Sequence, residues 1–222
     1  MGPRSSLRFV WIILKHEWLL LFREPRFWIP FLLPTIVLLA TEKIAALDFG
    51  KMPPEFSGLV LLYLAAFAAP MAAPLTADTF AGERERRTLE LLQISPARAG
   101  EIFAAKLLAI FPFPFFFAAL SQVLFCLMNP GVPPAIFVHS LLASFAATLL
   151  FNGVSLLVSL HSRTVRSATQ CSVLLSLPLF FLAQKFYREY FTNSSLPPLV
   201  LAVAVAVLLA FSWVALRKFK TV

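Results

Sequence analysis

Asp78-Thr79-Phe80-Ala81-Gly82-Glu83-Arg84-Glu85-Arg86-Arg87-Thr88-Leu89-Glu90-Leu91-Leu92, closed by Ser95-Pro96, is a dense charged stretch set between two long apolar ones. In a chain that is 59% hydrophobic and only 14% charged, such a concentration marks a water-facing element between membrane spans.

The composition supports that frame. A mean hydropathy of +0.83 over 222 residues, with 24 Phe, exceeds what a soluble domain can hide in its core, so the surplus apolar surface must face lipid. The formal net charge of +8 would suit nucleic acid only if it formed a soluble basic face. Here the Lys and Arg residues sit at the ends of apolar runs, which excludes that partner. Lys15-His16-Glu17 interrupts the first hydrophobic run, so no signal peptide is expected and the mature chain is expected to keep its N-terminus.

A hydrocarbon core about 30 Å thick needs roughly 20 mostly apolar residues per helix. Spans are expected at Phe27–Leu47, Phe56–Thr76, Leu107–Met128, Ala135–Leu160, Cys171–Ala183 and Leu199–Leu216. The fifth is short. Lys185-Phe186-Tyr187-Arg188-Glu189-Tyr190-Phe191 either completes it as the outer turns of a tilted helix or makes residues 184–198 re-entrant. Arg4, Arg8, Lys15, Arg23, Arg26, the 77–106 segment, Arg163, Arg166, Arg217, Lys218 and Lys220 then fall on one face, against Lys43, Lys51, Lys185 and Arg188 on the other. The positive-inside rule places both termini and the charged segment in the cytoplasm.

Residues 1–26 read as an interfacial amphipathic helix. At 100° per residue Arg8, Lys15, His16 and Arg23 share one sector, while Phe9, Ile12, Ile13, Trp18, Leu19 and Leu20 cover much of the rest. Pro25 is expected to end it. Pro30, Pro34, Pro70, Pro74, Pro112, Pro114 and Pro178 lie inside spans and predict kinked helices. Ala65, Ala69 and Ala73, and again Ala202, Ala206 and Ala210, form flat stripes expected to pack within the subunit, the alternative being a subunit interface.

Catalytic chemistry finds little support. His139 and His161 stand at opposite ends of the fourth span, about 33 Å apart at 1.5 Å per residue, and cannot share a metal. Motifs of the HExxH and GxSxG kind are absent, and so is a GxxxxGK[ST] phosphate loop. No metal and no cofactor is expected. Cys126 and Cys171 lie near opposite membrane faces and read as packing residues rather than a disulfide. Glu42, Gln122 and Asn152 are polar positions inside spans, readable either as structural hydrogen-bonding groups or as part of a substrate pathway.

Within the charged segment Glu83 and Arg87 have i,i+4 spacing, Leu89 and Leu92 share a face, and Ser95-Pro96 ends one helix and starts another. The second, Ala97–Ala105, runs into the third span, with Lys106 placed to snorkel at the interface.

At these residues the chain resembles the transmembrane subunit of ABC-2-type ABC transporters, whose pattern (G)E(R/K)ExGTLExLLxxP is followed by a helix and a lysine. Gly82-Glu83-Arg84-Glu85-Arg86-Arg87-Thr88-Leu89-Glu90-Leu91-Leu92, Ser95-Pro96, Glu101-Ile102 and Lys106 match it in order and spacing. Arg87 departs from it, replacing the usual glycine and putting the tightness of the local turn in question. The resemblance implies an all-α membrane protein: a six-transmembrane-helix bundle forming one domain over 1–222, with an N-terminal interfacial helix over 1–26 and a cytoplasmic coupling helix within 77–106.

It further implies an ATP-driven permease subunit, chiefly for export, dimerising with a second permease subunit in membrane lipid of a bacterial inner membrane. A separate ABC ATPase subunit would be contacted through Glu83, Arg84, Glu85, Arg86, Arg87, Thr88, Leu89, Glu90 and Leu91. The alternatives are a haem-export-type permease of cytochrome c maturation and an ATP-independent channel or secondary carrier.

Overall fold

The computed structural model describes residues 3–23, 54–88 and 99–219, together with positions 29, 32, 35–37 and 40. Among the described residues every regular element is helical. In chain order these are α1 (Pro3–Arg23), α2 (Pro54–Met71), α3 (Ala73–Ala77), a π-helical turn (Asp78–Gly82), α4 (Glu83–Glu85), α5 (Ala99–Ile110), α6 (Pro112–Met128), α7 (Pro134–His161), α8 (Val165–Thr192) and α9 (Leu196–Phe219).

Proline explains much of this segmentation. It opens α2, α6 and α7, where its missing N–H costs nothing because first-turn donors have no intrahelical partner. Within the apolar stretch 54–82, Pro70 and Pro74 bracket the junction between α2 and α3 at Ala72. At the start of α8 the Thr164 hydroxyl accepts from the Ser167 N–H, a side-chain N-cap.

Among the described residues two helical stretches, Gly100–Met128 and Pro134–His161, are long and apolar enough to cross a membrane, and Phe56–Phe67 and Leu196–Ala210 are shorter apolar runs. Most of the expected first span falls outside the described residues. The fifth proves to be one continuous helix, with Lys185 to Phe191 as its later turns rather than a re-entrant segment. Its end is anchored: the Tyr190 hydroxyl donates to the His139 carbonyl at 2.9 Å, and Tyr190 packs with Leu62, Ala65 and Ala143.

Helix α7 is the hub, packing against α2, α3, α6, α8 and α9. The main apolar cluster joins Ala72, Leu75, Phe80, Ile102, Phe103, Ile110, Phe117, Phe151 and Leu156, with Ile13 and Trp18 of α1 packed on it. Trp18 Nε1 also donates to the Ala109 carbonyl at 3.1 Å, so α1 is joined to α5. Ala65 and Ala73 are buried as expected, whereas Ala202, Ala206 and Ala210 are exposed. It is Ala204, on the opposite side of α9, that is buried. The within-subunit packing expected for that stripe is corrected accordingly. At the α7–α9 contact an added Cβ on Gly153 would collide with the Leu208 Cδ1 methyl, the far end of a rotatable side chain.

Gly153→Ala should therefore force the Leu208 side chain off its preferred rotamer and cost about 0.5–1.5 kcal/mol. Adding Leu208→Ala should recover most of the loss, as read by thermal unfolding of the purified chain in detergent.

Candidate functional site

Charged residues far apart in sequence converge where α1, the π turn, α5 and the α7–α8 corner meet. Lys106 on α5 is only 1% exposed. Its Nζ donates to Glu17 Oε1 of α1 at 2.8 Å, to Glu83 Oε1 of α4 at 2.8 Å and to the Thr79 carbonyl at 3.3 Å. An ammonium has three N–H donors, so all are used. The charge also lies 5.3 Å from the centroid of the Phe80 ring, whose π face favours a cation.

This corrects the expectation that Lys106 snorkels to the interface: two carboxylates inside the fold offer more than water at its edge. It also corrects the Glu83–Arg87 pairing, because Glu83 turns inward to Lys106 and the helix ends before Arg87. Two carboxylates face one ammonium, and Glu83 Oε2 is buried without a partner. Burial holds the Glu83 carboxyl above its ordinary pKa, outweighing the downward pull of Lys106.

The π turn that carries Thr79 and Phe80 is stitched to α7 by one hydroxyl. Ser159 Oγ accepts from the N–H groups of Phe80 at 3.2 Å and Ala81 at 3.0 Å, and donates to the Ala77 carbonyl at 2.8 Å. That exhausts its hydrogen-bonding capacity. Gly82 belongs to the same turn, where a Cβ would strike the Asp78 side chain. The Asp78 carboxylate thus lies over the turn and receives Arg86 at 3.0 Å.

The remaining charges of the segment bind its own bundle at helix ends. Arg84 donates to the carbonyls of Ser162 and Leu160, which close α7. Glu85 Oε1 accepts from the Val165 N–H, the first residue of α8, at 2.8 Å. A cation at a helix C-terminus and an anion at an N-terminus both complement the macrodipole.

Beyond Glu85 the chain turns away. The Thr88 N–H bonds the Glu83 carbonyl at 2.9 Å and the Arg87 N–H bonds the Arg84 carbonyl at 3.1 Å, the paired bonds of a Schellman ending. Its left-handed residue is Arg87, at φ 58°. The tight turn persists although an arginine holds it. Arg86, Arg87 and Thr88 are exposed.

Of the other expected site residues, Leu89, Glu90, Leu91 and Glu42 lie outside the described residues. Gln122 is fully buried, with Nε2 donating to the Leu61 and Ser140 carbonyls at 3.2 and 3.4 Å and to Ser144 Oγ at 2.6 Å. Asn152 is fully buried on α7, with both amide atoms unpartnered. Neither joins the charged cluster.

Sequence reasoning missed Glu17, Asp78 and Ser159. Glu17 lies 89 residues from Lys106, and no spacing rule links them. For Ser159 a signal existed: it continues the helical register of Asn152 and Ser155 on α7.

A sequence profile of the ABC-2 type transporter family matches residues 8–188, a span that contains Glu17, Glu83, Lys106 and Ser159. The chain belongs to the ABC-2 type transporter family. It is accordingly a membrane protein, the permease subunit of an ABC transporter, and not itself a catalytic subunit. Among curated proteins no relative matches it. In this ABC-2 permease the cluster is built from residues within the family's matched region, not from an appended segment.

Lys106→Met should cost about 3–5 kcal/mol at neutral pH by leaving two carboxylates without their counter-ion. A carboxyl whose folded pKa exceeds its unfolded one stabilises the fold at low pH and loses that contribution as pH rises. Removing Lys106 pushes Glu83 further up, so the deficit should shrink as pH falls from 8 toward 5. Thermal unfolding against pH reads this directly, and Glu17→Gln with Glu83→Gln should restore most of the loss. Separately, Arg87→Gly should stabilise by about 0.5–1 kcal/mol by relieving the left-handed Cβ strain.

Proposed function

We propose that this chain is the membrane-spanning half of an ATP-driven exporter, and that its charged segment 77–106 transmits the work of a separate ABC ATPase to the bundle. The observation that carries this reading is the three-way tie at Lys106. It joins α1, the π turn with α4, and α5 through buried ion pairs. A push on such a segment reaches several helices at once instead of bending a loose loop.

The segment divides its labour in a way that suits this role. Glu83, Arg84 and Glu85 face the chain's own bundle, reaching α5, the end of α7 and the start of α8. Arg86, Arg87 and Thr88 are exposed and form, with Leu89, Glu90 and Leu91, the proposed docking surface. The full reading has six spans, an interfacial α1, both termini cytoplasmic and two permease subunits per transporter in a bacterial inner membrane. Support for the orientation comes from the Lys and Arg distribution. The family supports a dimer and an ATPase partner.

Reversing Arg86 and Arg87 to Glu tests the docking role. Like charges brought together across an interface can cost several kcal/mol, whereas exposed substitutions usually alter stability by about 0.5 kcal/mol or less. The expected result is normal membrane insertion, with co-purification of the ATPase and substrate-stimulated hydrolysis sharply reduced. Arg86 also pairs with Asp78 across a side chain that is 53% exposed, so Asp78→Asn serves as the control for loss of that surface pair alone. Unchanged ATPase binding in the double reversal would remove the docking proposal.

A further inference from the structure

One face of α7 carries a line of buried polar residues: Ser140, Ser144, Thr148, Asn152, Ser155 and Ser159, each no more than 1% exposed. At 1.5 Å per residue the line is about 28 Å long, close to the thickness of a hydrocarbon core. Both ends are closed by protein partners. Gln122 bridges Ser140 and Ser144 to the Leu61 carbonyl at one end, and Ser159 holds the π turn at the other. The middle is not closed. Thr148 Oγ1, both amide atoms of Asn152 and Ser155 Oγ are buried and unpartnered, as is Ser172 Oγ on α8. Ser155 and Ser172 each lie about 10 Å along their helices from the α7–α8 corner, so they stand at one level.

What faces this middle follows from register. The two closed ends align α2 and the π turn with α7 at the same offset of about 80 residues, so the helices run parallel at 1.5 Å per residue each. Asn152 is then level with Ala72, the junction between α2 and α3. Pro70 and Pro74 flank that junction. Because proline has no N–H, the carbonyls of Ala66 and Pro70 lose their intrahelical donor there. The side chains at the junction, Ala72 and Ala73, are small and fully buried.

The unmet groups are of mixed kind and none is charged. The Asn152 Nδ2 needs an acceptor, Oδ1 and the freed carbonyls need donors, and the hydroxyls serve as either. A cation would leave Nδ2 unmet, and an anion would leave the carbonyls unmet. Leaving such atoms dry in a membrane interior costs several kcal/mol per group, whereas an internal water makes about three hydrogen bonds and both donates and accepts. We propose that Thr148, Asn152, Ser155 and Ser172 hold two or three ordered waters, about three bonds each, against the two-proline junction of α2 and α3. The junction becomes a hydrated hinge in the helix that leads into the charged segment. The site stands on burial and register and does not depend on docking to an ATPase.

The test uses the full chain in lipid nanodiscs with 15N-labelled Asn and Gln side chains, of which the sequence has three and four. Water-edited solid-state NMR measures how fast magnetisation passes from water to each amide. Gln122 is the internal control, equally buried but bonded to protein, and Asn193 is the exposed reference. Asn152 should receive water magnetisation at least ten-fold faster than Gln122 and approach Asn193. Its signal is assigned by loss in Asn152→Leu or, if that variant does not fold, by through-bond correlation with its neighbours. Transfer to Asn152 as slow as to Gln122 overturns the proposal. So does a signal that changes when sodium is replaced by choline, which points to a cation. A small molecule released stoichiometrically on denaturation also overturns it, by placing an organic ligand in the seam.

Discussion

Burying a lysine is the constraint on which this end of the protein depends. An ammonium taken out of water is tolerated only when opposite charge and acceptors replace its hydration. Lys106 meets that demand with Glu17, Glu83, the Thr79 carbonyl and the face of Phe80. The partners come from two places in the chain, α1 and the 79–83 stretch, so satisfying one cation fixes the positions of α1, the π turn and α4 against α5. Burial outweighs the pull of Lys106, with a smaller upward push from Glu17, which is why Glu83 holds its proton more readily than a surface glutamate.

The same economy governs the backbone. A π turn shifts the usual i→i+4 bonding, and such turns often sit at functional positions. Here the mismatch is absorbed by Ser159, whose hydroxyl serves two N–H groups and one carbonyl. Arg84 and Glu85 perform the equivalent service at the end of α7 and the start of α8. The charged segment is therefore fastened to its bundle chiefly through backbone groups at helix ends and at a π turn. In the proposed coupling role, such fastening allows a displacement of the segment to move whole helices.

Much of this was legible from pattern alone. Hydropathy and the arginine distribution pointed to a helical membrane protein, and the run from Gly82 to Leu92 with Lys106 pointed to the ABC-2 family, which the profile match establishes. Breaks appear at Pro70, Pro74 and Pro112, because proline acts through its own covalent structure, whereas Pro178 lies inside the continuous α8. The fifth apolar segment was ambiguous, since Lys185, Arg188 and Glu189 lower its hydropathy. Packing of Tyr190 and Phe191 against α2 and the Tyr190–His139 bond accompany its continuation as one helix.

The sequence by itself determined what local rules govern: helical periods, proline breaks, the family motif and which stretch is charged. Only the tertiary structure decided which charges meet. Glu83 has Arg87 at helical spacing but bonds Lys106, because the chain leaves the helix through a left-handed Arg87 and Lys106 arrives from another helix. Ala202, Ala206 and Ala210 keep a packing period yet remain exposed, because periodicity fixes a face without saying what covers it. Partner choice for a buried charge is a long-range property. It depends on what burial brings within about 3 Å, and no spacing along the chain encodes that.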